Sequence, residues 1–217
     1  FFEQLNNTKN KVYFVDYDMV QSEITMVSKG DLYNKDLIPL AKLFNEYFGS
    51  GLSSIVFQEI RESKALAYSA SSYFSTPRQL DQSHYITAYL GTQADKLSGA
   101  IDAILYLMND MPEANSQFED AKIAALKKIE TSRTKRSQIF WNYLRAQELG
   151  HEYDINKDIY ESIQNLKLDD LKLFFDTYIK DRKYTFLVIG NKNLIDHESL
   201  KALGEYRELN LDEIFGY

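Results

Sequence analysis

The chain has 217 residues, 44% hydrophobic and 26% charged, enough to close a sizeable core. A net charge of −7 excludes the basic footprint that nucleic acid requires, and no apolar run approaches the roughly 20 residues that span a bilayer. With no cysteine, disulfides and thiolate metal sites are excluded too, while bacterial cytoplasm and periplasm both stay open.

The chain opens on Phe1–Phe2, without Met or a basic–apolar leader, and is expected to be a segment of something longer. Val12–Tyr17 and Ser22–Ser28 are apolar or β-branched runs that predict two strands, punctuated after the second by Gly30 and Asp31. Leu37, Leu40, Ala41, Phe44 and Phe48 recur at helical spacing, and Gly49 ends that helix. A second helix follows the Gly49-Ser50-Gly51 turn, with Ser50 or Ser53 as its cap, and runs to Arg61 or Glu62. Tyr68–Phe74 and His84–Leu90 predict a hairpin-like pair of strands joined through Pro77.

The central stretch is helical. One apolar stripe is Leu97, Ile101, Ile104, Leu105 and Met108, and a second is Phe118, Ala121, Ala125 and Ile129. Ile139, Tyr143, Ala146 and Leu149 make a third, and Leu171, Phe174, Phe175 and Tyr178 a fourth. The basic run Lys127, Lys128, Arg133, Lys135 and Arg136 reads as a solvated helix-to-loop stretch, since Glu130 interrupts it and no aromatic interleaves. Tyr184–Ile189 is a near-continuous apolar strand suited to the middle of a sheet. A short helix around Leu200 and a strand near Arg207–Leu211 close the chain. Strands in adjacent pairs predict an α+β two-layer sandwich, a largely antiparallel sheet with helices on one face. With only three Pro and nine Gly, none clustered as a linker, residues 1–217 read as a single domain.

The residues supply no complete catalytic set. A hydrolytic zinc site needs His ligands about one helical turn apart beside a carboxylate. His84, His151 and His197 share no turn, and neither H-E-x-x-H nor H-x-x-E-H occurs. His84 falls on a strand as a partly buried sheet residue. His151 follows Gly150 at a helix end, where a cation complements the dipole, and His197 sits in a charged turn. There is no G-x-S-x-G elbow. Gly49-Ser50-Gly51 lacks the Lys of a phosphate loop. Asp169 and Asp170 suit the first turn of a helix.

One stretch carries a resemblance. Residues Phe48 to Tyr68 read FGSGLSSIVFQEIRESKALAY. The order and spacing resemble the signature of the C-terminal, non-zinc half of insulinase/pitrilysin peptidases and mitochondrial processing peptidases. In these, a Gly-rich turn leads to a Ser-Ser helix, then Phe-x-x-(Ile/Leu)-Arg-Glu, then a Gly-Leu-(Ala/Gly)-Tyr end that opens a strand. Gln21, the Glu119–Lys122 stretch and the Tyr184–Gly190 strand are similar to further family features. Departures are Ser50 for a second Gly, Ile55–Val56 for an Arg-Leu pair, and Ala65 for the Gly before Leu66.

The resemblance implies that this chain is not a complete enzyme and holds no metal or cofactor of its own. Zinc, its His ligands and the general-base Glu would lie on a partner domain, in the same polypeptide or a separate subunit. Arg61 and Tyr68 would act as auxiliary catalytic residues that reach across a chamber to the substrate backbone or the carbonyl under attack. Guanidinium and phenol are strong donors, as a developing oxyanion demands. Without that resemblance, Arg61 is a helix-terminal cation and Tyr68 a half-buried strand aromatic. The substrate would be an unfolded or short peptide, held in part by strand addition to the catalytic half. Tyr side chains, 16 in all, suit surfaces that touch a peptide. The alternative is a structural or binding domain of the same fold without peptidase activity, as in the core proteins of respiratory complexes.

Overall fold

The computed structural model describes residues 4–132 and 134–216, so Phe1, Phe2 and Arg133 of the sequence reading lie outside the described residues. Six strands form one sheet in the order β3-β4-β2-β5-β1-β6. They are β1 (Lys11–Asp16), β2 (Gln21–Leu32), β3 (Ser69–Phe74), β4 (Ser83–Gln93), β5 (Thr185–Gly190) and β6 (Glu205–Leu209). The β3–β4, β4–β2 and β2–β5 pairs are antiparallel, whereas β1 pairs in parallel with both β5 and β6.

The expected largely antiparallel α+β sandwich is what forms, and β5 takes the interior position that its apolar run predicts. The strand neighbours differ in one place. β1 and β2 are consecutive in sequence, yet β5 lies between them. Their short connection crosses the end of β5, where Tyr17 N–H donates to Gly190 O (3.0 Å) and Asn191 Nδ2 to Asp18 Oδ1 (3.1 Å).

Period-two alternation turns Phe14, Ile24, Met26, Phe74, Ile86, Leu90, Phe186 and Val188 to one face, all buried. Helices cover that face. Those described are α1 (Leu37–Phe44), α2 (Ile55–Phe57), α3 (Leu97–Asn109), α4 (Asn115–Thr131), α5 (Arg136–Glu148), α6 (Asn156–Asn165), α7 (Leu168–Tyr178), α8 (His197–Leu203) and α9 (Leu211–Phe215). Of these nine, α5 and α9 bury no residue. Wider π turns extend α1 through Asn45–Gly49 and α2 through Gln58–Ser63. Phe44, Phe48, Phe74, Phe174 and Phe175 interlock with ring centroids 4.9–6.4 Å apart. Each such side chain stabilises the fold by roughly 1.5–3 kcal/mol through burial alone.

The α1 extension also protects β3, an edge strand. Asn45 Nδ2 donates to Phe74 O (3.0 Å) and its Oδ1 accepts from Phe74 N–H (2.8 Å), so one side chain stands in for a neighbouring strand. Four residues on, a Cβ on Gly49 would lie 1.9 Å from the Ser72 carbonyl oxygen. Only glycine fits there.

Two sequence expectations are corrected. Ser54, not Ser50 or Ser53, caps α2, its Oγ accepting from Phe57 N–H and donating to Gly51 O (2.9 Å). Gly51, at φ +89, prolongs the turn and delays the helix. The stripe of Ile139, Tyr143, Ala146 and Leu149 does lie on a helix, α5, but α5 has no buried residue. Ile139, Phe140, Trp141 and Tyr143 are all exposed. The following helix α6, with buried Ile159 and Ile163, packs against α1 and α4 instead.

Candidate functional site

Arg61 and Tyr68 flank the passage from α2 into β3. Ile55, Val56 and Ile60 are buried and fix the helix against the core, which turns Arg61 outward. The Ile55–Val56 departure is thus a pair of core side chains. Arg61 lies in the π turn, where Lys64 N–H reaches back five residues to Glu59 O (3.2 Å). Its guanidinium sits 4.8 Å over the Phe57 ring and 3.7 Å from Glu62 Oε1. Both carry solvent-exposed faces, so these contacts restrain the side chain without consuming its donors.

The helix ends in a left-handed cap. Ala65 N–H donates to Arg61 O (3.2 Å) and Leu66 N–H to Ile60 O (2.9 Å), with Ala65 at φ +49. A non-glycine residue pays about 1–2 kcal/mol for this conformation, so the Ala65 departure is strained yet accommodated. Four bonds hold the turn. Lys96 Nζ donates to Ala65 O (3.0 Å), Thr92 Oγ1 to Leu66 O (2.5 Å), Tyr68 N–H to Gly91 O (2.8 Å), and Gln93 Nε2 to Tyr68 Oη (2.7 Å). Leu66 packs on the core as the pivot.

The structure therefore brings Arg61 and Tyr68 to one cleft of about 260 Å³, together with Glu62, Gln93 and Lys96. Tyr68, just before β3, is 52% exposed. The cleft offers cationic, phenolic and amide donors, which suits binding and polarising peptide carbonyls. Gln21 opens β2 directly across from Gln93, at the same end of the sheet. Sequence reading named neither Gln93 nor Lys96. Their signal is register, since pairing Ser69 with Gly91 carries the end of β4 to Tyr68.

The histidines stand apart from this cleft and from one another. His84 is fully buried on β4, more deeply than expected. Its Nδ1–H donates to Ser75 O (2.8 Å) and its Nε2 accepts from Asn34 N–H (3.2 Å). Burial pushes its pKa below the usual imidazole value. His151 follows Gly150 after α5, but its Nε2 meets Tyr33 Oη at 2.6 Å, and burial followed by the nearby Lys35 lowers its pKa. That direction works against the cation expected at the helix end. His197 opens α8 with its two ring nitrogens 3.0 Å from Tyr206 Oη and Lys192 O. Among the described residues no three His, Asp or Glu side chains converge on a metal position. The histidines do not fit a zinc ion, since they stand apart and each has at least one ring nitrogen engaged by a separate neighbour. A larger hollow of about 690 Å³ between α1 and α6 includes Lys35, His151, Tyr153 and Asp158, but Asp158 is spent on Tyr153 Oη (2.9 Å) and His151 on Tyr33.

The structure is thus a six-stranded α+β sandwich with a donor cleft at the helix-to-strand turn and no zinc cluster among its described residues. The profile described as "Peptidase M16 inactive domain" matches residues 2–129. The chain belongs to the insulinase/pitrilysin (M16) family and is its C-terminal inactive domain. An uncharacterized zinc protease of Rickettsia felis is 29% identical over 167 residues, spanning 73% of this chain and 38% of that protein. Among solved structures, the M16 inactive domain from Pseudomonas fluorescens superposes with a TM-score of 0.74 at 18% identity, covering 89% of this chain and 47% of its own. A chain of complex III2 from Candida albicans gives a TM-score of 0.65 at 14% identity, over 92% and 50%. At such identities these structures bear on the fold. The chain spans less than half the length of the Rickettsia relative.

Proposed function

We propose that residues 1–217 form one domain that completes the peptide-cutting chamber of a zinc endopeptidase, whose metal-bearing half lies on another domain or subunit. In this role the domain binds extended peptide, and Arg61 and Tyr68 donate hydrogen bonds to the substrate backbone or to the carbonyl oxygen as it gains charge. The observation that supports this reading most is the convergence of both side chains on one cleft, on a turn held by four hydrogen bonds. Donors fixed before the reaction avoid reorganisation during it, the main source of oxyanion stabilisation.

The second reading is a scaffold without peptidase activity. The likeness to a chain of complex III2 favours it, because it covers nearly the whole domain. A scaffold gives an exposed phenol and guanidinium at this turn no task. Tyr68→Phe and Arg61→Lys in the full-length protein separate the two readings, with cleavage of an unstructured peptide and melting temperature measured together. An ammonium cannot reproduce the planar fork of donors, so both variants should lose turnover while keeping stability. Absence of turnover in the parent protein would leave the scaffold reading, and unchanged turnover in both variants would remove the role given to Arg61 and Tyr68.

A further inference from the structure

We infer that Gln93 is a positioning residue that fixes the direction of the Tyr68 phenol, an inference that rests on the proposed role of Tyr68. The geometry carries it. Gln93 is the last residue of β4, half-buried, and its backbone is held in the ladder opposite Gln21. From there its Nε2 donates to Tyr68 Oη at 2.7 Å. A phenol oxygen can accept through its lone pairs but has a single proton to give. With the amide N–H pointing at the oxygen, that proton is directed away from Gln93, and among the described residues it meets no acceptor. The side chain is thereby set as an outward donor.

Two further effects act in the same direction. An accepted hydrogen bond polarises the phenol and strengthens the bond it donates. The turn beneath cannot rotate freely, because Tyr68 N–H and Leu66 O are tied to the Gly91 carbonyl and the Thr92 hydroxyl of the same strand end. The last residues of β4 thus hold both ends of the tyrosine, its backbone and its phenol. If residue 93 were an acceptor, the phenol would donate inward and its proton would be lost to any substrate.

The test uses the full-length protease with both halves and a fluorogenic unstructured peptide. Gln93→Glu keeps shape and length but replaces the amide donor with an acceptor. It should lower kcat on the order of 10²-fold, near the loss in Tyr68→Phe, since the oxyanion donor is withdrawn. KM should stay within about threefold, because the lost interaction forms in the transition state, and the melting temperature should not move. Gln93→Met removes the donor without supplying an acceptor and should cost about fivefold, the worth of one ordinary hydrogen bond. In the Tyr68→Phe background, Gln93→Glu should cost nothing more, because the two residues act as one unit. If Tyr68→Phe loses turnover while Gln93→Glu keeps it, Gln93 positions nothing, though the role of Tyr68 stands. A double variant with additive losses would overturn the inference by showing that Gln93 acts elsewhere. Normal turnover in Tyr68→Phe would remove both readings.

Discussion

The segment Gln58–Tyr68 and the helix α5 are near opposites. The first is irregular, with a π turn and a left-handed Ala65, yet it is pinned by hydrogen bonds to β4, by buried Ile60 and Ala67 and by partly buried Leu66. The second has regular helical geometry but buries none of its side chains, and Trp141 is 64% exposed. Regularity and anchoring are thus separate properties. Strain tied down on all sides can hold side chains to a fixed geometry, whereas a regular helix without packing contributes little to the stability of the chain.

Three substitutions would break or sharpen this contrast. Gly49→Ala should have the largest effect. Its Cβ would press on the Ser72 backbone oxygen, which cannot swing aside, so the loss should be about 3 kcal/mol or more. A urea midpoint close to the parent's would show that the α1 extension and β3 are not rigidly joined. Ala65→Gly should act the opposite way. Relief of the left-handed strain, about 1–2 kcal/mol, outweighs the extra chain entropy of glycine, about 0.5–1 kcal/mol. A net gain of roughly 0.5–1 kcal/mol should appear as a higher midpoint, and destabilisation would mean that the turn is not strained. Trp141→Ala should be the smallest, within about 0.5 kcal/mol in the chain. A clear loss of stability would show that α5 is packed after all.

The same contrast governs what could be read from sequence. Core elements with strong periodicity, such as the β3–β4 hairpin, the interior β5 and the stripes of α3, α4 and α7, followed from spacing alone. The candidate pair was legible through the Phe48–Tyr68 pattern, and the replaced glycine marked Ala65, where φ is positive. What escaped is set by long-range contact. β5 separates β1 from β2 by entering late in the chain, and the apolar pattern of α5 predicts burial that its position denies. Gln93 reaches Tyr68 across 25 residues through strand register, and no local motif encodes that. The π turns are equally silent, because the Leu37–Phe48 spacing reads like that of an ordinary helix.

The central claim is that Tyr68 supplies a hydrogen bond made in the transition state. The most direct test is kcat of Tyr68→Phe in the full-length protein on an unstructured peptide, with the melting temperature of the same preparation. Removing one exposed hydroxyl should leave stability within about 0.5 kcal/mol. Turnover should fall on the order of 10²–10³-fold, the typical cost of losing an oxyanion donor. Parental turnover at an unchanged melting temperature would contradict the account and make Tyr68 an ordinary surface residue.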